Sequence, residues 1–447
     1  MKKRSIAMLL ALTLVLSLCA VTAAAGEKAA DSQTDAAETE QTVEKMPASL
    51  AGPDAEPETD PKTGEVLESA LIEPDAVGTV SFANVERRMR EKNLSILTLD
   101  QSIETLKDID YKKIEDDMRD QLNDIADAQW FAIQAGSNGE PFASQFALTS
   151  LKQQYDALKE QFDAVRDGEL QEDNAGLIRQ LKNGQDQIVL AGESTYIALA
   201  ALETQEAALQ RQLAALNRTV EEMELRYQMG QVSALQLQQT KAGRTQLTSG
   251  LETLRMNIRN LKLQFEMLLG AEQTGELKLG AVPEVTDKEL AAMDVEKDLL
   301  AAKEKSYDLY DAAKTLEDAQ ETYKDDAKKY NYNEKKEEFR KAKRTWQAAQ
   351  YTYNDAVQSY ELKFRTLYAQ VLDYKQIYDA AKVSLACEQA SCESSELKYQ
   401  QGTISQNALL DARDSLKEAE EKVQTAANDL FSSYNTYRWA VEHGVLN

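Results

Sequence analysis

Histidine is all but missing from this chain: His443 is the only one. That excludes a histidine-based acid–base centre built from several imidazoles, and no Cys/His cluster has metal-ligand spacing. His443 reads as a helix-end residue next to a glycine cap. Cysteine is nearly as scarce, with Cys19, Cys387 and Cys392. The last two, five residues apart on one helix, stand too far apart for an undistorted bridge, since each residue adds about 1.5 Å of rise. Proline does not occur from Val285 to Asn447. No glycine-rich phosphate loop is present, and carboxylates on long helices are ordinarily a solvated face, so the reading is of a protein that is not an enzyme and carries no cofactor or metal. Positive charge is outnumbered: 51 Lys and Arg against 76 Asp and Glu give −25, a balance that repels nucleic acid and anionic lipid.

What is present begins with an export signal. Lys2, Lys3 and Arg4 precede an apolar run from Ile6 to about Leu18, then Ala23, Ala24 and Ala25. Residues 1–25 are expected to be a signal peptide cleaved before Gly26. A lipoprotein signal at Cys19 is the alternative, which the bulky Leu18 before it fits poorly. Loss of the three cations takes the formal charge from −25 to −28. No later apolar run approaches the roughly 20 residues of a spanning helix. Residues 26–78, rich in Ala, Glu, Asp, Thr and Pro, read as a disordered acidic leader.

The remainder has the composition of long helices. Leu209, Leu213, Leu216, Val220, Met223 and Tyr227 recur at spacings of four and three, and so do Leu247, Leu251, Leu254, Ile258, Leu261, Phe265 and Leu268. Such a seven-residue repeat predicts a coiled-coil seam between two helices. A looser version runs through Val371, Tyr374, Tyr378, Ala381 and Leu385, and returns through Leu416, Ala419, Val423, Ala426 and Leu430. The fold class expected is all-α, built from long antiparallel helical hairpins, with the short stretch Glu276 to Val285 (ELKLGAVPEV) between two helical tracts.

Between the paired tracts lie two matching turns, LRYQMGQVSALQLQQ from Leu225 and LKYQQGTISQNALLD from Leu397. Gly230 and Gly402 suit a left-handed position just beyond a helix end. Arg226 and Lys398 place positive charge in the last turn. Ser233 can cap the next helix with Gln236 completing a capping box; Ser405 can cap likewise, while Ala408 leaves its box incomplete. Leu225/Leu397, Tyr227/Tyr399, Gly230/Gly402 and Ser233/Ser405 all differ by 172, as do Tyr196 and Tyr368 upstream. A gapless match through helix, turn and helix is an internal repeat.

In these residues the chain resembles the TolC-like outer-membrane efflux proteins, whose two tandem repeats each carry R/K-Y-x-x-G-x-x-S/T before a helix. Here the motif is Arg226-Tyr227-Gln228-Met229-Gly230-Gln231-Val232-Ser233, and again Lys398-Tyr399-Gln400-Gln401-Gly402-Thr403-Ile404-Ser405, followed by Leu409-Leu410-Asp411-Ala412. The resemblance covers about Val80 to Gly444, and its specificity lies in the doubled motif. It implies repeat 1 over 79–275, a linker at 276–285 and repeat 2 over 286–447. It further implies a homotrimeric helical duct in the cell envelope whose tips, at Arg226, Tyr227, Gly230, Val232, Ser233, Lys398, Tyr399, Gly402, Ile404 and Ser405, dock a periplasmic-type adaptor that joins an inner-membrane pump. Asp411 takes a place where the family narrows its entrance with acids; Ala408 stands where another acid is expected, and Gln236 and Gln239 fill the first repeat's places.

The chain departs from the family where membrane strands would lie. QWFAIQAGSNGEPFASQFALTS, from Gln129, has only short apolar patches, and the stretch from Lys324 to Trp346 is charged on every face. Neither has the alternation of a barrel strand. Helical hairpins are expected there instead, without direct membrane insertion. The alternative function is a non-channel coiled-coil scaffold, or a regulator of a cell-wall enzyme. The tyrosines crowding the second repeat raise a glycan surface as a further option, although tyrosine often fills helix seams.

Overall fold

The computed structural model describes residues 75–137 and 141–446. The expected signal peptide and most of the acidic leader lie outside the described residues. The chain divides into two compact units.

The first unit, Asp110–Asn174, is a helical hairpin of α3 (Tyr111–Ser137) and α4 (Pro141–Arg166). Leu122 and Val165 are buried in it, and the Phe162 ring sits beneath the guanidiniums of Arg119 and Arg166. This hairpin occupies the stretch from Gln129 where strands are absent from the pattern, as expected.

The second unit comprises residues 75–109 and 175–446 of the described chain. It opens with a two-residue strand β1 (Thr79–Val80), a 3-10 turn (Phe82–Asn84), α1 (Val85–Lys92) and α2 (Leu94–Lys107). Helix α5 (Glu169–Gln228), which begins in the first unit, runs 60 residues to the first tip, and α6 (Ala234–Leu268) returns. Strand β2 (Lys278–Leu279) pairs in parallel with β1. There follow α7 (Asp287–Ala292), α8 (Val295–Lys305), α9 (Tyr307–Lys329), the 64-residue α10 (Glu337–Gln400) to the second tip, and α11 (Gln406–His443). The fold is therefore helical, as read from the composition, and β1–β2 is its only sheet among the described residues. No described helix is long and apolar enough to cross a membrane.

Local chemistry sets the breaks. Asn93 turns extended between α1 and α2, its side chain accepting from Ser95 and Ile96 backbone N–H groups. Thr286 and Glu289 form a capping box for α7. Ser306 caps α9. Each cap satisfies donors that a helix start leaves open, worth about 1 kcal/mol.

Two apolar cores hold the long helices. One gathers Val80, Phe82 and Met89 with Tyr196 of α5, Phe265 of α6 and Trp439 of α11; the other joins Leu299 of α8 with Tyr360, Phe364 and Val371 of α10 and Leu430 and Tyr437 of α11. Burial of each such side chain contributes about 1.5–3 kcal/mol. Helix α11 thus belongs to both cores. Tyr196 lies 2.8 Å from the Gly280 carbonyl, and burial pushes its phenol up to about 12. Tyr360 is sequestered in the second core, so that tyrosine is packing rather than glycan surface. Cys387 and Cys392 are both free, the second buried.

A buried acid ties α5 to α11. Glu193, 2% exposed, accepts from Asn435 Nδ2 at 2.7 Å and Trp439 Nε1 at 2.6 Å, with Arg438 at 3.6 Å. Desolvation raises its carboxyl above the ordinary glutamate value of 4.5, outweighing those bonds. A raised folded value means that the folded chain keeps a proton the unfolded chain has released, so the site's contribution falls as pH rises from about 4.5 through the folded value. Glu193→Gln should remove this fall. Thermal melts between pH 4 and 7 should show the parent losing stability relative to the variant as pH rises; parallel curves would contradict the account.

Candidate functional site

The two turns close in the same way. Helix α5 ends at Gln228, and Gly230 takes φ +71°. Its N–H donates to the Tyr227 carbonyl at 2.9 Å, and that of Gln231 donates to Arg226 at 2.8 Å. Helix α10 ends at Gln400, Gly402 also takes φ +71°, and its N–H donates to Tyr399 at 2.8 Å while that of Thr403 donates to Lys398 at 2.9 Å. This pair of bonds satisfies the last carbonyls of a helix and requires the left-handed glycine. Ser233 then opens α6 with the expected capping box through Gln236, and Ser405 opens α11 by accepting from Ala408 N–H, without the second half of the box.

Apolar surface matches as well. Leu225 and Leu397 are each 59% exposed, and Tyr227 and Tyr399 are 46% and 41% exposed. Tyr227 is therefore not part of the buried seam that its spacing continues; the seam's last fully buried residue on α5 is Val220. Val232 and Ile404 are half-buried in their turns. Arg226 pairs with Glu222 one turn back, and the cation beside the helix end is thus already partnered within α5.

A further correspondence lies just behind the tips. Glu224 of α5 meets Lys241 of α6 at 2.6 Å, and Glu396 of α10 meets Arg413 of α11 at 2.8 Å. Both partners are displaced by 172, so one cross-hairpin ion pair is written twice. The hydrogen bond from Lys241 and its charge hold the Glu224 carboxyl below the usual range. Exposed pairs of this kind are screened by solvent and contribute little to stability; their value is in register. In the first hairpin, Glu203–Lys262 at 2.7 Å obeys the same register, 21 residues away on each helix.

Asp411 is exposed and lies 3.6 Å from Arg218 of α5, which also pairs with Asp414. Seven residues further back on each helix, Arg211 meets Glu421 at 2.7 Å. The candidate gate acid thus stands at the end of a heptad-spaced ion-pair ladder between the repeats, its charge partly countered within the chain. These pairs were not anticipated from the sequence; the i, i+7 spacing of Arg211 and Arg218 against Asp414 and Glu421 is the signal that carries them.

His443 ends α11, with Gly444 as its left-handed cap. Its Nδ1 lies 3.3 Å from Asp186, and its ring packs on Trp439. Among the described residues no group of three or more His, Cys, Asp or Glu side chains could hold a metal. The tips expose the apolar side chains of Leu225, Tyr227, Leu397 and Tyr399.

No protein-family model matches the chain, and no curated protein matches it. Its structure is similar to that of the outer membrane protein VceC from Vibrio cholerae, at 13% identity, over 81% of this chain and 95% of that one, with a TM-score of 0.43. It is similar also to the outer-membrane channel OprN, at 12% identity over 81% and 90% with a TM-score of 0.47. The open state of the Neisseria gonorrhoeae MtrE outer membrane channel gives 13% identity over 81% and 89% with a TM-score of 0.44.

Proposed function

We propose that this protein is an exported component of an efflux or secretion system, in which two equivalent hairpin tips per chain dock the helical hairpins of an adaptor that leads to an inner-membrane pump. The exported chain starts at Gly26, its repeats span 79–275 and 286–447, and three copies surround a helical duct with six tips. The observation that carries this reading is the doubled tip. Glycine conformation, closing bonds, exposed Leu and Tyr and the ion pair behind them all recur at the same displacement. A hairpin needs only one helix stop and one cap to fold; matched exposed apolar side chains at both ends add nothing to folding and are what a docked helix would cover. The protein would do no chemistry, and the pump would drive transport.

A second reading, an envelope scaffold or a regulator of a cell-wall enzyme, draws on the helical hairpins α3/α4 and α9/α10, which stand where the resembled family has membrane strands. A photo-crosslinking residue placed at Gln231, and separately at Thr403, distinguishes the two. The duct reading expects both positions to capture the same exported protein, identified by mass spectrometry as one containing a long helical hairpin. Capture of a wall hydrolase, or no capture at either tip while a position on α3 yields product, would favour the scaffold.

A further inference from the structure

The end of the α9/α10 hairpin reverses the charge of the rest of the chain. Residues 324–346 carry nine Lys and Arg against five Asp and Glu, a net +4 in a chain of −25. Lys328 and Lys329 close α9, Lys335 and Lys336 precede α10, and Arg340 and Arg344 follow Lys336 at four-residue steps, one face of a helix. All six are exposed. Among the described residues none of the six has an ion-pair partner; the pair in this stretch is Lys343 with Glu334 at 2.8 Å. The turn between the lysine pairs holds Asn331 and Tyr332 at φ 50° and 57°, and leaves Tyr332 64% exposed at the apex. The end is folded: the Tyr323 ring of α9 stacks on Trp346 of α10 with centroids 4.8 Å apart, and on buried Phe339 at 5.7 Å. The cations are therefore presented by a packed hairpin end.

We infer that this end is a docking surface for an anionic phospholipid bilayer, with the lysines and arginines at the headgroup phosphates and Tyr332 entering the interface. Cations without an ion-pair partner, Lys329 resting over the Tyr330 ring at 5.5 Å, point on an acidic protein to an anionic partner through charge complementarity. An exposed tyrosine set between them adds what a bilayer interface specifically accepts, a ring at the level of the headgroups with its hydroxyl in water. The surface is too charged to enter hydrocarbon, so the contact is peripheral. The inference does not depend on what the tips bind.

The test is flotation of the chain from Gly26 to Asn447 with vesicles of phosphatidylcholine alone or with phosphatidylglycerol. The parent is compared with a variant carrying Lys328→Gln, Lys329→Gln, Lys335→Gln and Lys336→Gln, and with Tyr332→Ser. All five positions are exposed, and unchanged helical circular dichroism confirms folding. Binding is expected only to the anionic vesicles, to weaken as salt is raised from 0.1 to 1 M, and to fall at least about tenfold in the lysine variant and measurably in Tyr332→Ser. Equal binding to neutral vesicles, anionic-vesicle binding that the lysine variant retains, or the absence of vesicle binding would overturn the inference. So would capture by an isolated anionic wall polymer without vesicle binding, which would assign the charge to a different partner.

Discussion

Gly444→Ala is expected to destabilise the second unit by about 3–5 kcal/mol, in the range reached by backbone clashes and strain. Gly444 takes φ +72° as the left-handed cap of α11. A β-carbon there would lie 2.3 Å from the Ser306 nitrogen and 2.4 Å from the Lys305 carbonyl carbon. Both are backbone atoms at the α8–α9 junction, so no side-chain rotation relieves the contact. Ser306 is buried and caps α9, while the Tyr360 hydroxyl lies 3.2 and 3.3 Å from the carbonyls of Ala302 and Gly444. Displacing the cap would therefore disturb α8, α9 and α10 together. Gly270, the cap region of α6, faces the same constraint, with a β-carbon 2.5 Å from the Lys92 carbonyl oxygen. Thermal and urea melts of Gly444→Ala check the expectation; a melting point within about two degrees of the parent would contradict it.

At the tips the same residue type has the opposite surroundings. Gly230→Val combined with Gly402→Val is expected to weaken partner docking and export at least about tenfold while costing only about 1–2 kcal/mol of stability at each turn, the penalty of a side chain at positive φ. Among the described residues a β-carbon at either glycine meets no atom within 4 Å. Nothing among the described residues is pressed against these turns, so the space is available to a partner. The expected pattern is a loss of export with near-parental helical circular dichroism and a melting point lowered by several degrees but a cooperative melt retained. Parental export would separate the tips from function, and global unfolding would make these glycines structural, like Gly444.

That contrast also marks what was legible beforehand. Gly230, Gly402 and Gly444 were readable as helix ends because a left-handed cap is set by local chemistry. Ser233 with Gln236, and Ser405 without a matching acid or amide, followed the same logic. The seams were readable through Val220, Leu251 and Leu254, and through Val371, Tyr378 and Leu430, since burial imposes the helical period. Tyr227 broke that reading because spacing does not say where a seam stops.

Longer-range features were hidden for a different reason. Glu193 with Asn435 and Trp439, and Arg218 with Asp411 and Asp414, join helices of different repeats, and their pairing depends on a register that no local pattern states. On helices dense with Glu, Lys and Arg, any one charge has many candidate partners. The pairs Glu224–Lys241 and Glu396–Arg413 were within reach, since the displacement of 172 that aligns the glycines also aligns both partners. Strand β2 falls inside the stretch from Glu276 that stood apart from the helical tracts, whereas β1, two residues long, left no periodic trace.

The central claim is that the doubled tip exists to be presented in a ring and covered by a partner. Light scattering in detergent-free solution measures it most directly, on the chain from Gly26 to Asn447 alone and with the helical hairpin of the adaptor captured at the tips. The account predicts three copies of the chain per particle, as a mass of three chains alone or of three chains plus the bound hairpins. One or two chains under both conditions would contradict it.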